Sequence, residues 1–114
     1  MKFSSRQEGD VTVFDLKGGL EGGADTYAIK DVVTEMLETG QSKFLLNLDN
    51  VDFVNSTGIG IIASVYSSIS NSGGQMKICS ANEKVSRVMM ITKLLEVFDS
   101  YGREEEALQA FQSP

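Results

Sequence analysis

The sequence contains no histidine, one cysteine and one proline among its 114 residues. Without histidine, neither a Ser-His-Asp nor a Cys-His catalytic arrangement can be built from this chain alone. The usual zinc and iron sites are excluded for the same reason, because they draw on histidine or on clustered cysteines. The acidic residues also lack the spacing of a calcium-binding loop. We therefore expect a protein without a catalytic centre and without a cofactor.

The single cysteine, Cys79, cannot form a disulfide within the chain, which is typical of proteins from a reducing compartment. It lies in the apolar run at residues 76–79, where a buried structural thiol is expected. No apolar stretch approaches the roughly 20 residues that span a bilayer, and the first six residues do not resemble a signal peptide. These features predict a cytoplasmic protein that is not inserted into a membrane.

Acidic residues outnumber basic residues by 16 to 10, which gives a formal net charge of −6. On average, such a surface repels nucleic acid and anionic membranes and attracts a basic protein surface. A chain of 114 residues with 41% hydrophobic content can bury a core without disulfides, so residues 1–114 are expected to form one domain. We expect a monomer with a protein partner.

Strand and helix patterns alternate along the chain. Two short strands, at residues 3–8 and 11–16, flank Gly9-Asp10, a turn pair common in hairpins. The apolar run at residues 44–48 is typical of a strand that is covered on both faces at the centre of a parallel sheet. Further strands are predicted at residues 75–79 and 95–98.

Four amphipathic segments predict helices. The first begins at Asp25 and ends before Gly40, where glycine is typical of a helix C-terminus. The third opens with a capping-box pattern at residues 80–83 and is expected to turn Thr92 inward. The fourth begins with three acids at residues 104–106, which the helix macrodipole favours. The second follows Ser56 and is expected to bury Ile59, Ile62, Ala63, Tyr66, Ile69 and Ser70. This alternation predicts a single α/β domain, in which a mixed sheet of four to five strands packs with about four helices.

Two glycine pairs, Gly18-Gly19 and Gly22-Gly23, predict a flexible loop around Leu20 and Glu21. The spacing of Gly18 and Gly23 is that of a nucleotide-binding P-loop. However, Ala24-Asp25 stands where that motif requires lysine followed by serine or threonine. An enzyme or nucleotide-binding protein is therefore a minor alternative, which calorimetry with nucleotides would test.

The segment at residues 55–60, Asn-Ser-Thr-Gly-Ile-Gly, lies between an extended stretch and the second helix. Serine, threonine and asparagine are all good N-caps, so Ser56 can be a plain helix cap. A phosphorylated Ser56 is compatible with that position. The added charge of about −1.5 to −2 would lie beside the positive end of the helix.

Gly58 and Gly60 each cost the helix roughly 1 kcal/mol relative to alanine, unless something requires the close approach that glycine permits. Ile61 and Val65 fall away from the main apolar face of the same helix. They can pack against a second layer of the domain or remain exposed beside Ser56, where they would favour a docking surface.

Residues 53–60, Phe-Val-Asn-Ser-Thr-Gly-Ile-Gly, resemble the signature of the STAS domain, the family of anti-sigma factor antagonists. The resemblance extends over nearly the whole chain, through the glycine segment at residues 18–23, the strand at 44–48 and the closing helix at 104–108. It implies a STAS fold and a regulatory binding protein.

In that family the serine matching Ser56 is phosphorylated by a partner that is both an anti-sigma factor and a serine kinase. The unphosphorylated form binds the anti-sigma factor and frees the sigma factor, and a serine phosphatase resets the cycle. The resemblance thus implies Ser56 as phospho-acceptor. The implied docking surface comprises Asn55, Ser56, Thr57, Gly58, Ile59, Gly60 and Ile61, with Glu21 and Asp25 as further candidates. Either acid can equally be a plain solvated side chain, and for Asp25 a helix cap is the favoured alternative.

One position departs from the family pattern, because Asn55 stands where the family usually has aspartate. Asparagine keeps the size and the hydrogen-bonding capacity but lacks the charge. The alternatives that this leaves open are weaker recognition by the kinase, a changed stability of the phosphoserine, or a branch of the family that is not phosphorylated. Thr57 offers a second hydroxyl as acceptor. The rival hypothesis within the family is an unphosphorylated STAS scaffold subunit of a signalling or transport complex.

Overall fold

The computed structural model describes residues 1–93 and 97–112, and in this part of the chain five strands and four helices follow one another. The strands are β1 (Lys2–Glu8), β2 (Val11–Leu20), β3 (Lys43–Val54), β4 (Gln75–Cys79) and β5 (Asp99–Tyr101). The helices are α1 (Ala24–Glu38), α2 (Ser56–Asn71), α3 (Glu83–Ile91) and α4 (Glu104–Gln112). The strands form one sheet in the order β1-β2-β3-β4-β5, antiparallel between β1 and β2 and parallel elsewhere. The predicted mixed α/β sheet is confirmed.

The central strand β3 supplies apolar side chains to both faces of the sheet. Phe44, Leu46 and Leu48 belong to the larger core, together with buried residues of α1, α2 and α3. Leu45 points to the opposite face and packs in a smaller core with Phe111 of α4. This alternation follows from the two-residue period of a strand, and it confirms that residues 44–48 are covered on both sides.

Helix α4 is joined to the sheet by apolar packing and by an ion-pair network. Arg6 donates to Asp15 over 2.8 Å and also to Glu104, which accepts a further bond from Asn47 Nδ2 over 3.0 Å. These donors, Arg6 first, hold the pKa of Glu104 below its ordinary value. Beneath α4 lies Cys79, whose burial raises its pKa to about 11. The cysteine is a buried structural thiol, as predicted.

The prediction of a flexible loop around Leu20 and Glu21 was wrong for residues 18–20, which belong to strand β2. Strand β2 continues through Gly18 and Gly19 to Leu20, because these residues pair with the long β3, with Gly19 opposite Phe53. Gly18 has a φ of +97° at an irregularity in the pairing, where glycine is the residue that accepts a left-handed conformation. Leu20 is completely buried. Because β2 ends at Leu20 and α1 begins at Ala24, the β2–α1 connection comprises residues 21–23.

Four local predictions differ from the structure. The capping box at residues 80–83 does not form, since Asn82 caps α3 by accepting from the Val85 N–H over 2.9 Å. Thr92 follows the last turn of α3 and is exposed, and Ser70 of α2 is also exposed. The predicted strand at residues 95–98 begins outside the described residues, and the observed β5 starts at Asp99.

The candidate functional site at the start of α2

Asn55 connects β3 to α2 and holds the first turn of the helix in place. Its backbone N–H donates to the Leu20 carbonyl oxygen over 3.1 Å, which ties the start of α2 to the end of β2. Its side-chain oxygen accepts from the Gly58 N–H over 2.9 Å. Asn55 is therefore the N-cap, and the expectation that Ser56 can serve as the cap was wrong.

Ser56 is the first residue of α2, and its side chain is exposed. In residues 1–93 and 97–112, no side-chain hydrogen bond engages the Ser56 hydroxyl, and the capping bond is made by Asn55 instead. The hydroxyl lies at the N-terminal end of a helix, where the aligned peptide dipoles favour negative charge. The arrangement leaves a free, accessible nucleophile at an anion-tolerant position.

Gly58 is required by the close packing of α2 against β2. A Cβ atom at this position would lie 2.0 Å from the Leu20 carbonyl oxygen, which is backbone and cannot swing aside. Gly22 makes a similar approach, since a Cβ there would lie 2.6 Å from the Thr57 methyl carbon. The prediction that a close approach explains the helical glycine is confirmed for Gly58. For Gly60 no described atom lies within 4 Å of such a Cβ, apart from its chain neighbours and the backbone of its own helix.

The apolar residues of this segment are mostly inside the protein. Ile61 is 7% exposed and Val65 is completely buried, so the pair packs in the core and does not form an exposed strip. Gly58 and Ile59 are buried as well. The residues of the predicted docking segment that are exposed are Asn55, Ser56, Thr57 and Gly60.

The two predicted acidic candidates lie on the β2–α1 side of the site. Glu21 is exposed in the short connection whose backbone faces Gly58, so it lies beside the start of α2. Asp25 is exposed in the first turn of α1. The N-cap of α1 is Gly23, so the prediction of Asp25 as a helix cap was wrong. Its carboxylate instead faces the favourable end of the helix macrodipole from within the first turn.

Two exposed aromatic residues flank the site, and the sequence patterns did not single them out. Phe53 is 42% exposed and its ring covers Gly19, where a Cβ would lie 2.4 Å from the ring carbons. Tyr27 is 56% exposed on α1. The sequence did contain a signal for the exposure of Tyr27, because this residue lies outside the apolar stripe of its helix. Tyr27 borders a groove of about 410 Å³. The groove is lined by Tyr27, Lys30, Thr57, Gly60, Ile61 and Ser64.

The chain matches a known protein family over most of its length. The STAS domain family matches residues 2–107, which is most of the chain. The chain belongs to the STAS family. A STAS protein of Thermotoga maritima that carries the provisional name anti-sigma factor antagonist is 38% identical over 80 residues, which cover 70% of this chain and 71% of that one. The anti-sigma F factor antagonist of Paenibacillus polymyxa is 31% identical over 93 residues, covering 78% of this chain and 80% of the relative.

Solved structures of other proteins share the fold of this STAS chain. The crystal structure of a Thermotoga maritima protein provisionally named anti-sigma factor antagonist superposes with a TM-score of 0.84 at 28% identity, covering 97% of this chain and 95% of the other. The anti-sigma factor antagonist SpoIIAA of Bacillus, in its unphosphorylated form, gives a TM-score of 0.81 at 19% identity and covers 96% of each chain. At that identity the second likeness shows the fold alone. The resemblance to the STAS family is confirmed.

The described residues contain neither a candidate membrane span nor a cluster of metal ligands. No helix in residues 1–93 and 97–112 is long and apolar enough to cross a membrane. Within the same ranges, no three side chains of histidine, cysteine, aspartate or glutamate come together as metal ligands. The polar side chains exposed at the start of α2 are those of Asn55, Ser56 and Thr57, and Glu21 and Asp25 are exposed on the β2–α1 side.

Proposed function

We propose that this chain is an anti-sigma factor antagonist that acts by phosphorylation-dependent partner switching. In its unphosphorylated form it binds an anti-sigma factor that is also a serine kinase, and the sigma factor is thereby released. Phosphorylation of Ser56 ends that interaction, and a serine phosphatase restores it. This function belongs in the cytoplasm, and it uses binding rather than catalysis by this chain. The names of the relatives support the antagonist role.

The observation that carries the proposal is the free Ser56 hydroxyl. Asn55 supplies the cap, so Ser56 can be modified without removing a bond that holds α2. A phosphate would bring about −1.5 to −2 charges to the positive end of the helix, where the fold tolerates them. The same charge would lie beside the exposed Glu21 and change the surface that a partner meets. The fold is preserved while the interface is altered.

Asn55 caps α2 through its own side-chain oxygen, so the first turn of the helix keeps its cap whether or not Ser56 carries a phosphate. Its amide lacks the charge of the aspartate that the family usually has at this position. Thr57 is also exposed, but its methyl group packs against Gly22, which limits how freely its hydroxyl can be presented. We therefore assign the phosphate to Ser56. The proposed docking segment is residues 55–61, of which Asn55, Ser56, Thr57 and Gly60 are exposed to a partner, with Glu21 and Asp25 at its edge. Gly58, Ile59 and Ile61 are buried and support this surface from beneath.

The test uses the purified chain, the anti-sigma factor of its source organism and labelled ATP. Ser56→Ala is expected to bind the anti-sigma factor as the wild type does and to incorporate no phosphate. Ser56→Asp is expected to weaken binding, because it imitates the added charge. Thr57→Ala is the matched control and should be labelled at the wild-type level. Equal labelling of wild type and Ser56→Ala would refute Ser56 as acceptor, and binding without any labelling would favour an unphosphorylated scaffold subunit.

A further inference from the structure

Strand β1 lies at an open edge of the sheet. Within the described part of the chain it pairs with β2 alone, over the seven residues Lys2–Glu8. Across those seven residues the pairing shows no bulge, and the strand contains no proline. The opposite edge of the sheet is β5, which has three residues. Sheets commonly protect an edge by shortness, a bulge or a proline, so β1 is the edge that can accept a further strand.

The hairpin turn fixes which backbone groups of β1 face outward. Residues 9–10 form a two-residue turn with Gly9 at a φ of +65°, so Glu8 and Val11 exchange backbone hydrogen bonds. Bonded and non-bonded pairs alternate along an antiparallel ladder, so the even-numbered residues of β1 bond toward β2. The N–H and C=O groups that point away from the sheet belong to the odd-numbered residues Phe3, Ser5 and Gln7.

In one antiparallel register, β1 is complementary to a second copy of itself. When Ser5 lies opposite Ser5 of the second copy, the outward groups of Phe3 meet those of Gln7. The two strands then form about six backbone hydrogen bonds. In the same register Lys2 faces Glu8 of the second copy, and the two-fold symmetry makes this pair occur twice.

The neighbouring registers bring like charges together. A shift of two residues in one direction places Lys2 opposite Arg6, and the same shift in the other direction places Arg6 opposite Arg6. Like charges directly opposite each other destabilise a pair of strands. A shift of one residue places outward groups opposite inward ones, which cannot form the ladder. The order of charges in β1 therefore selects the register centred on Ser5.

The side chains of β1 leave room for a second strand. Ser4 and Ser5 lie on opposite faces of the sheet and are both exposed, so neither face is covered at the centre of the strand. Arg6 donates to Glu8 Oε1 over 2.8 Å. Glu8 Oε2 can accept from Lys2 of the second copy, since a carboxylate accepts through both oxygens.

We propose that β1 is a self-association edge, through which two copies of this chain join their sheets into one continuous sheet across a two-fold axis at Ser5. The contact involves neither Ser56 nor an anti-sigma partner. It departs from the monomer expected from the sequence, because only the fold shows which strand lies at an edge.

The first experiment measures the self-association of the full chain by sedimentation equilibrium. The wild type is expected to approach the mass of a dimer between about 10 µM and about 1 mM chain, because a small interface of this kind is weak and transient. Ser5→Pro removes the outward N–H and leaves the bonds to β2 in place, so it should raise the Kd by at least about tenfold. A wild type that stays monomeric to about 1 mM would overturn the proposal. So would a Ser5→Pro variant that dimerises as the wild type does.

A charge-reversal cycle tests the register, and it decides the question if Ser5→Pro folds poorly. Lys2→Glu and Glu8→Lys each create two like-charge contacts across the axis and should raise the Kd at least about fivefold. The double variant restores opposite charges and should return to within about threefold of the wild type. Lys84→Glu, at an exposed position of α3, changes the net charge as Lys2→Glu does and should leave the Kd within about twofold. Single reversals that dimerise like the wild type would refute the register.

Amide hydrogen exchange locates the contact in the strand. Raising the chain concentration should slow the exchange of the outward N–H groups of Phe3, Ser5 and Gln7. The N–H groups of Ser4 and Arg6 bond to β2, so their exchange should be slow at every concentration. A dimer in which the Ser5 amide exchanges as fast as in the monomer would place the interface elsewhere and contradict the proposal.

Discussion

Replacing Gly58 by alanine tests how closely α2 is packed against the end of β2. The added methyl carbon would lie 2.0 Å from the Leu20 oxygen, 2.4 Å from its carbonyl carbon and 3.0 Å from the Glu21 nitrogen. All three atoms are backbone, so no rotamer change relieves the overlap. The Leu20 oxygen also accepts the hydrogen bond from the Asn55 N–H, and a shift of either segment strains that bond.

Two opposing effects decide the size of the change. Alanine gains about 1 kcal/mol of helix propensity over glycine. Against this, overpacking of a well-packed region costs typically about 1–3 kcal/mol, and weakening the Asn55–Leu20 bond adds about 1 kcal/mol. The unfavourable terms are larger, so we expect Gly58→Ala to lower the free energy of unfolding by about 1–3 kcal/mol.

The assay is urea denaturation followed by circular dichroism, with Gly60→Ala as the matched control. The control makes the same substitution in the same helix, but its Cβ enters open space. It should therefore raise the free energy of unfolding by about 0.4–1 kcal/mol. Opposite signs at the two positions are the expected result. If Gly58→Ala is as stable as the wild type, or if both variants change in the same direction, the packing argument is refuted.

Three further predictions concern the caps and the ion pairs. Asn55→Ala should lose about 1 kcal/mol in denaturant titration, whereas Asn55→Asp keeps the cap and should lose almost nothing. The pKa of Glu104 is lowered in the folded state, so its contribution to stability is present above the unfolded pKa and is lost as the pH falls through the folded one. Glu104→Gln should therefore be less sensitive than the wild type to a change from pH 7 to pH 3.5, and equal acid sensitivity would contradict this. Lys77 is 7% exposed, with its ammonium 3.0 Å from Asp99 and 5.1 Å from the Phe111 ring centre. Lys77→Ala should lower the free energy of unfolding by about 2 kcal/mol, whereas Lys77→Met, which keeps the packing of the stem, should lower it by less than about 1 kcal/mol. Equal losses for the two variants would show that the charge dominates instead.

Periodicity and turn chemistry were sufficient to predict the architecture. The apolar run at residues 44–48 indicated the central strand, and the alternation of strands and helices indicated a mixed α/β sheet; both are confirmed. These signals are local, because a strand or helix shows its buried face in the spacing of its own residues. The signature around Ser56 also indicated the family, which the match to residues 2–107 confirms.

The tertiary structure decided the features that depend on neighbours distant in sequence. Asn55 rather than Ser56 caps α2, and this depends on the bond that Asn55 makes with Leu20 of another strand. Gly58 and Gly60 look alike in the sequence, yet one packs against backbone and the other faces open space. Composition indicates which residues can cap a helix or permit a close approach. Only the folded chain brings a second segment near enough to determine which of them does so.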